Sequence, residues 1–97
     1  MKNFNEKCYE LLRKVPRGKV VTYKEIARAL NSKAYRIVGR AMKKNKNRKI
    51  SCYKVVKSNG EIGGFNRGIK EKIRLLRKDG IIIKNNKVHL KKYRWRF

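Results

Sequence analysis

Acidic residues are scarce in this sequence: 6 Asp and Glu stand against 30 Lys and Arg, a formal net charge of +24 over 97 residues. Such an imbalance strains a compact state by self-repulsion unless a polyanion lies nearby. Nucleic acid is the simplest such partner, with a membrane surface as the rival. No apolar run approaches the roughly 20 residues of a membrane-spanning helix, and the amino-terminal residues lack the apolar stretch of a signal peptide. We therefore expect a soluble, cytoplasmic protein that binds nucleic acid.

Cysteine and histidine are also rare, being represented by Cys8, Cys52 and the single His89. No pair of them has the short spacing of a zinc site, so we expect no metal and no other cofactor. A basic intracellular domain of ordinary apolar content needs no disulfide, and we take both cysteines as thiols. The length suits one compact domain, 1–97, which we expect to act as a monomer.

Helical periodicity is clear at the start of the chain. A first amphipathic helix that ends at Pro16 is predicted from apolar residues at helical spacing: Phe4, Cys8, Leu11, Leu12 and Val15. Cys8 lies on that apolar stripe, which favours a core position for it. Thr22 can cap a second helix, with Glu25 reaching back to it as in a capping box.

The third predicted helix, 33–44, has Ser32 as its expected cap and separates into two faces. The apolar face consists of Ala34, Ile37, Val38 and Ala41, and the basic face consists of Arg36, Arg40 and Lys43. Two short helices joined by a tight turn make a helix-turn-helix, and an outer face of one charge sign favours contact with nucleic acid. The basic loop 43–49 is expected to meet phosphates without reading sequence.

The second half of the chain predicts a loop, a helix and a hairpin. The segment 57–68 holds four of the seven glycines, and its interleaved apolar residues indicate an ordered pocket wall and not a flexible linker. A helix from Ile69 ends at Gly80, and a hairpin follows with Asn85 and Asn86 at its turn. The predicted fold class is mainly α (α+β): a single winged-helix-like domain with a helix-turn-helix, an active-site loop, one further helix and a small carboxy-terminal β-hairpin.

Two features leave alternatives open. Asp79 lies in the last turn of the fourth helix, where the helix macrodipole disfavours a carboxylate. It either pairs with a nearby lysine or has a hydrogen-bonding role. The basic, aromatic tail 91–97 either packs its rings on the body of the protein or stacks them on bases, and packing is favoured.

Cys52 lies between Ile50 and the pair Val55–Val56, among polar and basic residues. A cysteine is more often a small buried hydrophobe than a nucleophile, since reactivity depends on electropositive surroundings. The surrounding sequence therefore decides whether Cys52 is a nucleophile.

Taken together, these residues resemble the carboxy-terminal, DNA-binding domain of O6-alkylguanine-DNA alkyltransferases, also called methylated-DNA–protein-cysteine methyltransferases, and their alkyltransferase-like relatives. The resemblance runs from about Phe4 to Trp95 and depends on the order and spacing of several segments: 15–23, 34–42, Asn45, Cys52, 55–56, Gly60, 63–68 and 75–76. Each segment is weak alone, but their order and spacing together are specific.

The resemblance implies that Cys52 accepts an alkyl group from O6 of a guanine flipped out of duplex DNA, in one irreversible displacement. Tyr23 matches the tyrosine that meets the flipped nucleotide, and Arg36 matches the arginine that fills the gap in the stack. Asn45 matches the asparagine that supports the active-site turn, and Asp79 matches the carboxylate that orients the family's histidine. The pocket loop matches Gly63, Gly64, Phe65, Asn66, Arg67 and Gly68, and the expected DNA-binding residues are Thr22, Tyr35, Arg36, Gly39, Arg40 and Lys43.

This chain departs from the family at the cysteine motif. Where the family has Pro-Cys-His-Arg, this chain has Ser51-Cys52-Tyr53-Lys54. A tyrosine with a reference pKa near 10 is a poor base at neutral pH. Lys54 can instead favour the thiolate, because an opposite charge nearby stabilises the charged form. The alkyltransferase-like group usually carries tryptophan in place of the cysteine and does no chemistry, whereas this chain keeps the cysteine.

Three functions follow as hypotheses. The first is a single-turnover DNA repair protein that transfers the alkyl group of O6-alkylguanine to its own Cys52, with Tyr23, Asn45, Tyr53, Lys54 and Asp79 as the other catalytic candidates. The second is a non-enzymatic protein that binds the lesion and flags it for other repair proteins. The third, and least favoured, is a winged-helix DNA-binding regulator. The expected partner is double-stranded DNA, containing alkylated guanine in the first two cases.

Overall fold

The computed structural model describes residues 2–97, and the mainly helical, α+β architecture is confirmed. The described helices are α1 (Phe4–Arg13), α2 (Tyr23–Ala29), α3 (Tyr35–Lys44), α4 (Ile69–Lys78) and α5 (Leu90–Tyr93). The described strands are β1 (Val21–Thr22), β2 (Val55–Val56), β3 (Ile83–Lys84) and β4 (Lys87–Val88). A single turn of 3-10 helix, Cys52–Lys54, directly precedes β2. None of the helices in this described part of the chain is long and apolar enough to cross a membrane.

The helix-turn-helix is formed by α2 and α3. At its start the Thr22 hydroxyl accepts a hydrogen bond from the Glu25 backbone N–H at 3.0 Å, and the Glu25 side chain accepts from the Thr22 N–H at 3.4 Å. These two bonds are the predicted capping box, which satisfies two of the backbone donors left free at a helix start. The turn to α3 passes through Asn31, whose φ of 56° lies in the left-handed region that asparagine tolerates.

The apolar face of α3 differs from the prediction. The helix begins at Tyr35, two residues later than expected, and its buried residues are Val38, Ala41 and Met42. Ile37 is 42% exposed. The face of α3 that packs against α1 and α2 is formed by Val38 and by the residues three and four positions after it, which leaves Ile37 to one side. Ser32 does not cap the helix directly, since its hydroxyl accepts from the Ala34 N–H, one residue before the first helical turn.

Two short pairings hold the second half of the chain in place. β1 pairs with β2 in parallel, with Val21 opposite Val55, which brings the start of α2 next to the strand that leaves Cys52. This pair was not predicted, because two residues are too few to show the alternating pattern of a strand. The hairpin of β3 and β4 is as predicted, with Asn85 and Asn86 at positive φ in its turn.

The carboxy-terminal tail packs on the body of the protein. The Val20 N–H donates to the Tyr93 carbonyl, and the Trp95 N–H donates to the Val20 carbonyl, both at 2.8 Å. Tyr93 is buried among the residues of the hairpin and α4, and Trp95 packs against the core that contains Cys8. The favoured alternative for the rings of Tyr93 and Trp95 is therefore confirmed, while Phe97 remains 47% exposed.

We expect Thr22→Ala to lower the free energy of unfolding by about 1 kcal/mol, because it removes the cap of α2. Urea unfolding followed by circular dichroism measures the change. Thr22→Ser keeps the hydroxyl and serves as the control, with a smaller loss. Equal losses in the two variants would contradict a stabilising role for the capping hydrogen bond.

Candidate active site

Cys52 is held at the start of the 3-10 turn by Asn45. The Asn45 side-chain amide donates a hydrogen bond to Cys52 Sγ at 2.9 Å, and the same amide lies 3.1 Å from the Asn47 carbonyl. Asn45 is the cap that follows the last residue of α3, and only 7% of it is exposed. The end of the helix-turn-helix is therefore joined directly to the candidate nucleophile, which is itself 4% exposed.

A small cavity of about 60 Å³ lies beside the thiol, lined by Tyr23, Met42, Lys43, Cys52, Gly64, Phe65 and Asn66. A larger cleft of about 560 Å³ shares two of these residues, Tyr23 and Gly64. The cleft also includes three candidates from the exposed side of α3: Tyr35, Arg36 and Gly39. The structure thus brings the predicted nucleotide-contacting residues and the candidate nucleophile to neighbouring cavities.

The pocket loop 63–68 is tied to the residue that holds the thiol. The Asn66 side-chain amide donates to the Asn45 carbonyl at 2.6 Å. Gly63 has a φ of +71°, and a Cβ there would lie 3.3 Å from the hydroxyl oxygen of Tyr23. Glycine at this position therefore permits both the backbone conformation and the close passage of the loop past Tyr23. Arg67 lies over the ring of Phe65, 5.1 Å from its centre.

Tyr53 and Asp79 meet, as the resemblance implied for the histidine and carboxylate positions. The Tyr53 hydroxyl donates to Asp79 Oδ2 at 2.6 Å. Arg17 Nε lies 3.5 Å from Asp79 Oδ1, and its guanidinium also donates to the Lys78 carbonyl at 3.1 Å. Asp79 therefore accepts a hydrogen bond from Tyr53 and pairs with an arginine from the turn after α1. Burial and the bond to Asp79 raise the pKa of Tyr53 to about 12, so its phenol is not a base at neutral pH.

The Lys54 amine is not directed to the Cys52 thiol, as its predicted role of favouring the thiolate would require. Its Nζ donates to the Val15 carbonyl at 3.0 Å, near the end of the first helical segment, and the residue is 7% exposed. Burial lowers the pKa of Lys54. Its amine is used to satisfy a backbone carbonyl, and the charges that act on Cys52 come from Arg67 and Lys72 instead.

Lys72, a residue that the sequence reasoning missed, is fully buried beside the site. Its Nζ donates to the Val55 carbonyl at 2.6 Å and to the Gly64 carbonyl at 3.0 Å, and it lies 5.9 Å from the centre of the Tyr23 ring. Burial lowers the pKa of Lys72 to about 7. A signal was present, because Lys72 occupies the i+3 position of the apolar stripe of α4 that begins at Ile69.

The pKa of the Cys52 thiol reflects opposing influences. Burial raises it, whereas the hydrogen bond from Asn45 and the positive charges of Arg67 and Lys72 lower it. The net effect of the protein is a pKa above the ordinary value for cysteine. Tyr23 also has a raised pKa, caused by its burial and by the charge on Cys52, and it is therefore a neutral phenol that can donate a hydrogen bond.

The candidate DNA-binding residues fall into two groups. Arg36, Arg40 and Lys43 are exposed on α3, as predicted, and Tyr35 is 52% exposed. Thr22 does not belong with them, because it is 2% exposed and its hydroxyl is used in the capping box. In residues 2–97 no group of three or more His, Cys, Asp and Glu side chains could hold a metal ion.

Comparison with known proteins supports the resemblance. The model of the 6-O-methylguanine DNA methyltransferase family, DNA-binding domain, matches residues 3–81. The chain belongs to this family. It is 47% identical over 89 residues to a bifunctional methyltransferase/endonuclease of Picrophilus torridus, covering 90% of this chain and 30% of that protein. It is 43% identical over 83 residues to a methylated-DNA–protein-cysteine methyltransferase of Metallosphaera sedula, covering 84% of this chain and 52% of that protein.

Two solved structures of different length share the fold. S. pombe Atl1, crystallised with damaged DNA containing O6-carboxymethylguanine, superposes with a TM-score of 0.86 at 30% identity over 100% of both chains. The O6-methylguanine-DNA methyltransferase of Pyrococcus kodakaraensis KOD1 superposes with a TM-score of 0.75 at 42% identity, covering 84% of this chain and 48% of that one. The chain thus spans about half or less of the methyltransferases that it resembles.

We expect the stability of the protein to rise with pH through Lys72. The pKa of Lys72 is about 7 in the folded protein and about 10.4 in an unfolded chain, so the unfolded state binds more protons between these values. The free energy of unfolding should therefore increase by roughly 2–3 kcal/mol from pH 6 to pH 9 through this group. Lys72→Met should remove that increase, which urea unfolding at both pH values measures.

Lys70→Met is the matched control, because Lys70 is exposed on the same helix and its replacement also removes one charge. It should keep the pH dependence of the wild-type protein. Equal pH dependence in the wild-type protein and Lys72→Met would show that the buried amine is not neutralised on folding.

Proposed function

We propose that this protein repairs DNA by transferring the alkyl group of O6-alkylguanine irreversibly to Cys52. The observation that carries the proposal is the hydrogen bond from Asn45 to Cys52 Sγ, 2.9 Å long, beside a cavity that adjoins the cleft along α3. This bond orients the sulfur lone pairs and lowers the pKa of the thiol. A cysteine that only filled the core would need neither effect.

The proposed chemistry is an in-line displacement. The sulfur attacks the alkyl carbon, the bond from that carbon to O6 breaks, and the electron pair returns to the guanine. The thioether formed is stable, so each molecule reacts once. Turning a base out of the duplex costs a few kcal/mol, and a lesion that weakens pairing lowers this cost. Tyr23 is proposed to meet the flipped nucleotide, and Arg36 to fill the space that it leaves in the duplex.

The charge distribution supports DNA as the partner. The chain has a net charge of +24, and Arg36 of α3 lines the cleft together with Lys24 and Lys57. Phosphate contacts from such residues position the protein, while the lesion is read in the pocket. A DNA complex also explains how so large a net charge is tolerated, since the phosphates neutralise it.

A second function, lesion binding without transfer, has its own supporting observation. Tyr53 stands where the family has a histidine, and its hydroxyl is committed to Asp79. S. pombe Atl1 matches this chain over its whole length, with a TM-score of 0.86. In this case the protein flips the alkylated guanine and marks it for other repair proteins, and Cys52 stays unmodified.

Incubation with a duplex containing O6-methylguanine separates the two functions. We expect the peptide containing Cys52 to gain the mass of one methyl group, in a reaction that stops after one equivalent. Cys52→Ala should bind the same duplex without gaining mass. Tight binding of the damaged duplex by the wild-type protein with no added methyl group would reject transfer and support the second function. No preference for damaged over intact DNA would reject both, and would point to a winged-helix regulator.

We expect the affinity for DNA to depend steeply on salt. With about six phosphate contacts, log K should fall with log[salt] with a slope near −5. Lys43→Ala should reduce the magnitude of that slope by about 1, since one contact is lost. Fluorescence anisotropy with a labelled duplex measures both slopes, and Lys84→Ala, on the hairpin, is the control that keeps the wild-type slope. A slope near zero for the wild-type protein would contradict DNA binding through phosphates.

A further inference from the structure

We propose that the carboxy-terminal hairpin carries a docking groove for an acidic segment of a partner protein, in which carboxylates flank an apolar side chain. The groove has a volume of about 340 Å³ and is lined by residues of the hairpin β3–β4 and of α5. It shares no lining residue with the cavity beside Cys52 or with the cleft along α3. The proposal goes beyond alkyl transfer, and it holds equally if Cys52 is never alkylated.

The apolar part of the groove is formed by Ile82, Val88 and Tyr93. Ile82 lies directly before β3, between Ile81 and Ile83, which are 1% and 9% exposed. Neighbouring side chains of a strand alternate between its two faces, so Ile82 lies on the face opposite to the core. At 55% it is the most exposed large apolar side chain in residues 2–97. An occupant with an apolar side chain would remove this surface from water.

Tyr93 adds a hydrogen-bond donor to the groove. The residue is 7% exposed, and its hydroxyl oxygen accepts a hydrogen bond from the Ile82 backbone N–H at 3.2 Å. In the described part of the chain this hydroxyl donates to no acceptor, so its own hydrogen is unused. A carboxylate, which only accepts hydrogen bonds, is complementary to it.

Three lysines surround the apolar part of the groove: Lys84, Lys87 and Lys92. Lys84 lies directly opposite Lys87 in the antiparallel pair of β3 and β4, and like charges in this arrangement destabilise a hairpin. Within residues 2–97 none of the three forms an ion pair with a carboxylate, and no aspartate or glutamate lines the groove. The fold therefore holds an uncompensated pair of like charges at the groove, which a bound carboxylate would relieve.

Two other occupants are less complementary to the groove than an acidic segment. Contacts to phosphates need basic side chains alone, and the phosphates of a duplex have no apolar group to cover Ile82. A second copy of this chain has no acidic segment to offer, because no two of its 6 acidic residues are neighbours in the sequence. Five of the six already form ion pairs within the chain. The charge and the apolar surface together therefore favour an acidic segment of a different protein.

Fluorescence anisotropy with a synthetic peptide tests the groove. The probe is a short, fluorescein-labelled peptide of glutamates with two leucines at its centre, and the control peptide has two serines in their place. At about 0.15 M salt, which screens long-range attraction, we expect the leucine peptide to bind about tenfold more tightly, because it covers Ile82. Equal affinities would mean that opposite charge alone drives binding, and would overturn the proposal.

Ile82→Ser should lower the affinity for the leucine peptide by about tenfold and leave that for the serine peptide unchanged. Ile69→Ser is the matched control, because Ile69 is 52% exposed on α4 and lies outside the groove. Both replaced side chains are exposed, so we expect both variants to fold, which circular dichroism verifies. Equal losses in the two variants, or no loss in Ile82→Ser, would count against the groove and overturn the proposal.

The double variant Lys84→Gln/Lys87→Gln separates an acidic segment from DNA. It should lower the affinity for the leucine peptide by about fivefold, since two exposed ion pairs are lost. Lys7→Gln/Lys70→Gln removes the same charge from exposed positions elsewhere and should have a smaller effect. Its affinity for an undamaged duplex should be no higher than that of Lys84→Gln/Lys87→Gln. A larger loss of DNA affinity in Lys84→Gln/Lys87→Gln would assign the hairpin to nucleic acid and overturn the proposal.

Amide chemical shifts of the wild-type protein locate the bound peptide without any substitution. In ¹H–¹⁵N spectra we expect the leucine peptide to shift the signals of residues 82–93 and to leave those of α3 in place. Shifts along α3, shifts spread over the whole basic surface, or no shifts at all would overturn the proposal. None of these measurements uses alkylated DNA, so their outcome is independent of the methyl-transfer experiment.

Discussion

One residue, Asn45, connects the three parts of the site. It caps the carboxyl end of α3, its side-chain amide donates to Cys52 Sγ, and its backbone carbonyl accepts a hydrogen bond from the side chain of Asn66 in the pocket loop. Asn45 therefore links the end of α3, the candidate nucleophile Cys52 and the pocket loop at one point. Since Asn45 is 7% exposed, its hydrogen bonds are protected from competition with water, and breaking any one of them leaves a buried polar group unsatisfied.

The second constraint is the burial of two lysines in a chain with few acids. Lys54 and Lys72 are 7% and 0% exposed, and each amine is bound to backbone carbonyls. Carbonyl oxygens satisfy the amine hydrogens but do not cancel a charge, so burial lowers the pKa of both residues. In Lys72 this produces a side chain that can be neutral or charged near physiological pH. The amine of Lys54 is directed to the Val15 carbonyl.

Tyr53 donates a hydrogen bond to Asp79, and Arg17 joins them from the turn after α1. A tyrosine that donates to a carboxylate is held in its protonated form, so the contact ties α4 to the segment of Cys52 and stabilises the fold there. Burial lowers the pKa of Lys72, on α4, to about 7.

The sequence by itself determined the local elements that depend on residues only a few positions apart: the capping box at Thr22, the asparagine turn of the hairpin and the basic side of α3. It also determined the family, because the order and spacing of many weak segments are specific together. Only the tertiary structure decided the buried face of α3, the pairing of β1 with β2, the partner of Asp79 and the directions of the two buried amines. These depend on contacts between residues far apart in the chain, such as Lys54 with Val15 and Arg17 with Asp79. Composition and periodicity describe one segment at a time, whereas the protonation of Cys52 depends on which charges from other segments fold against it.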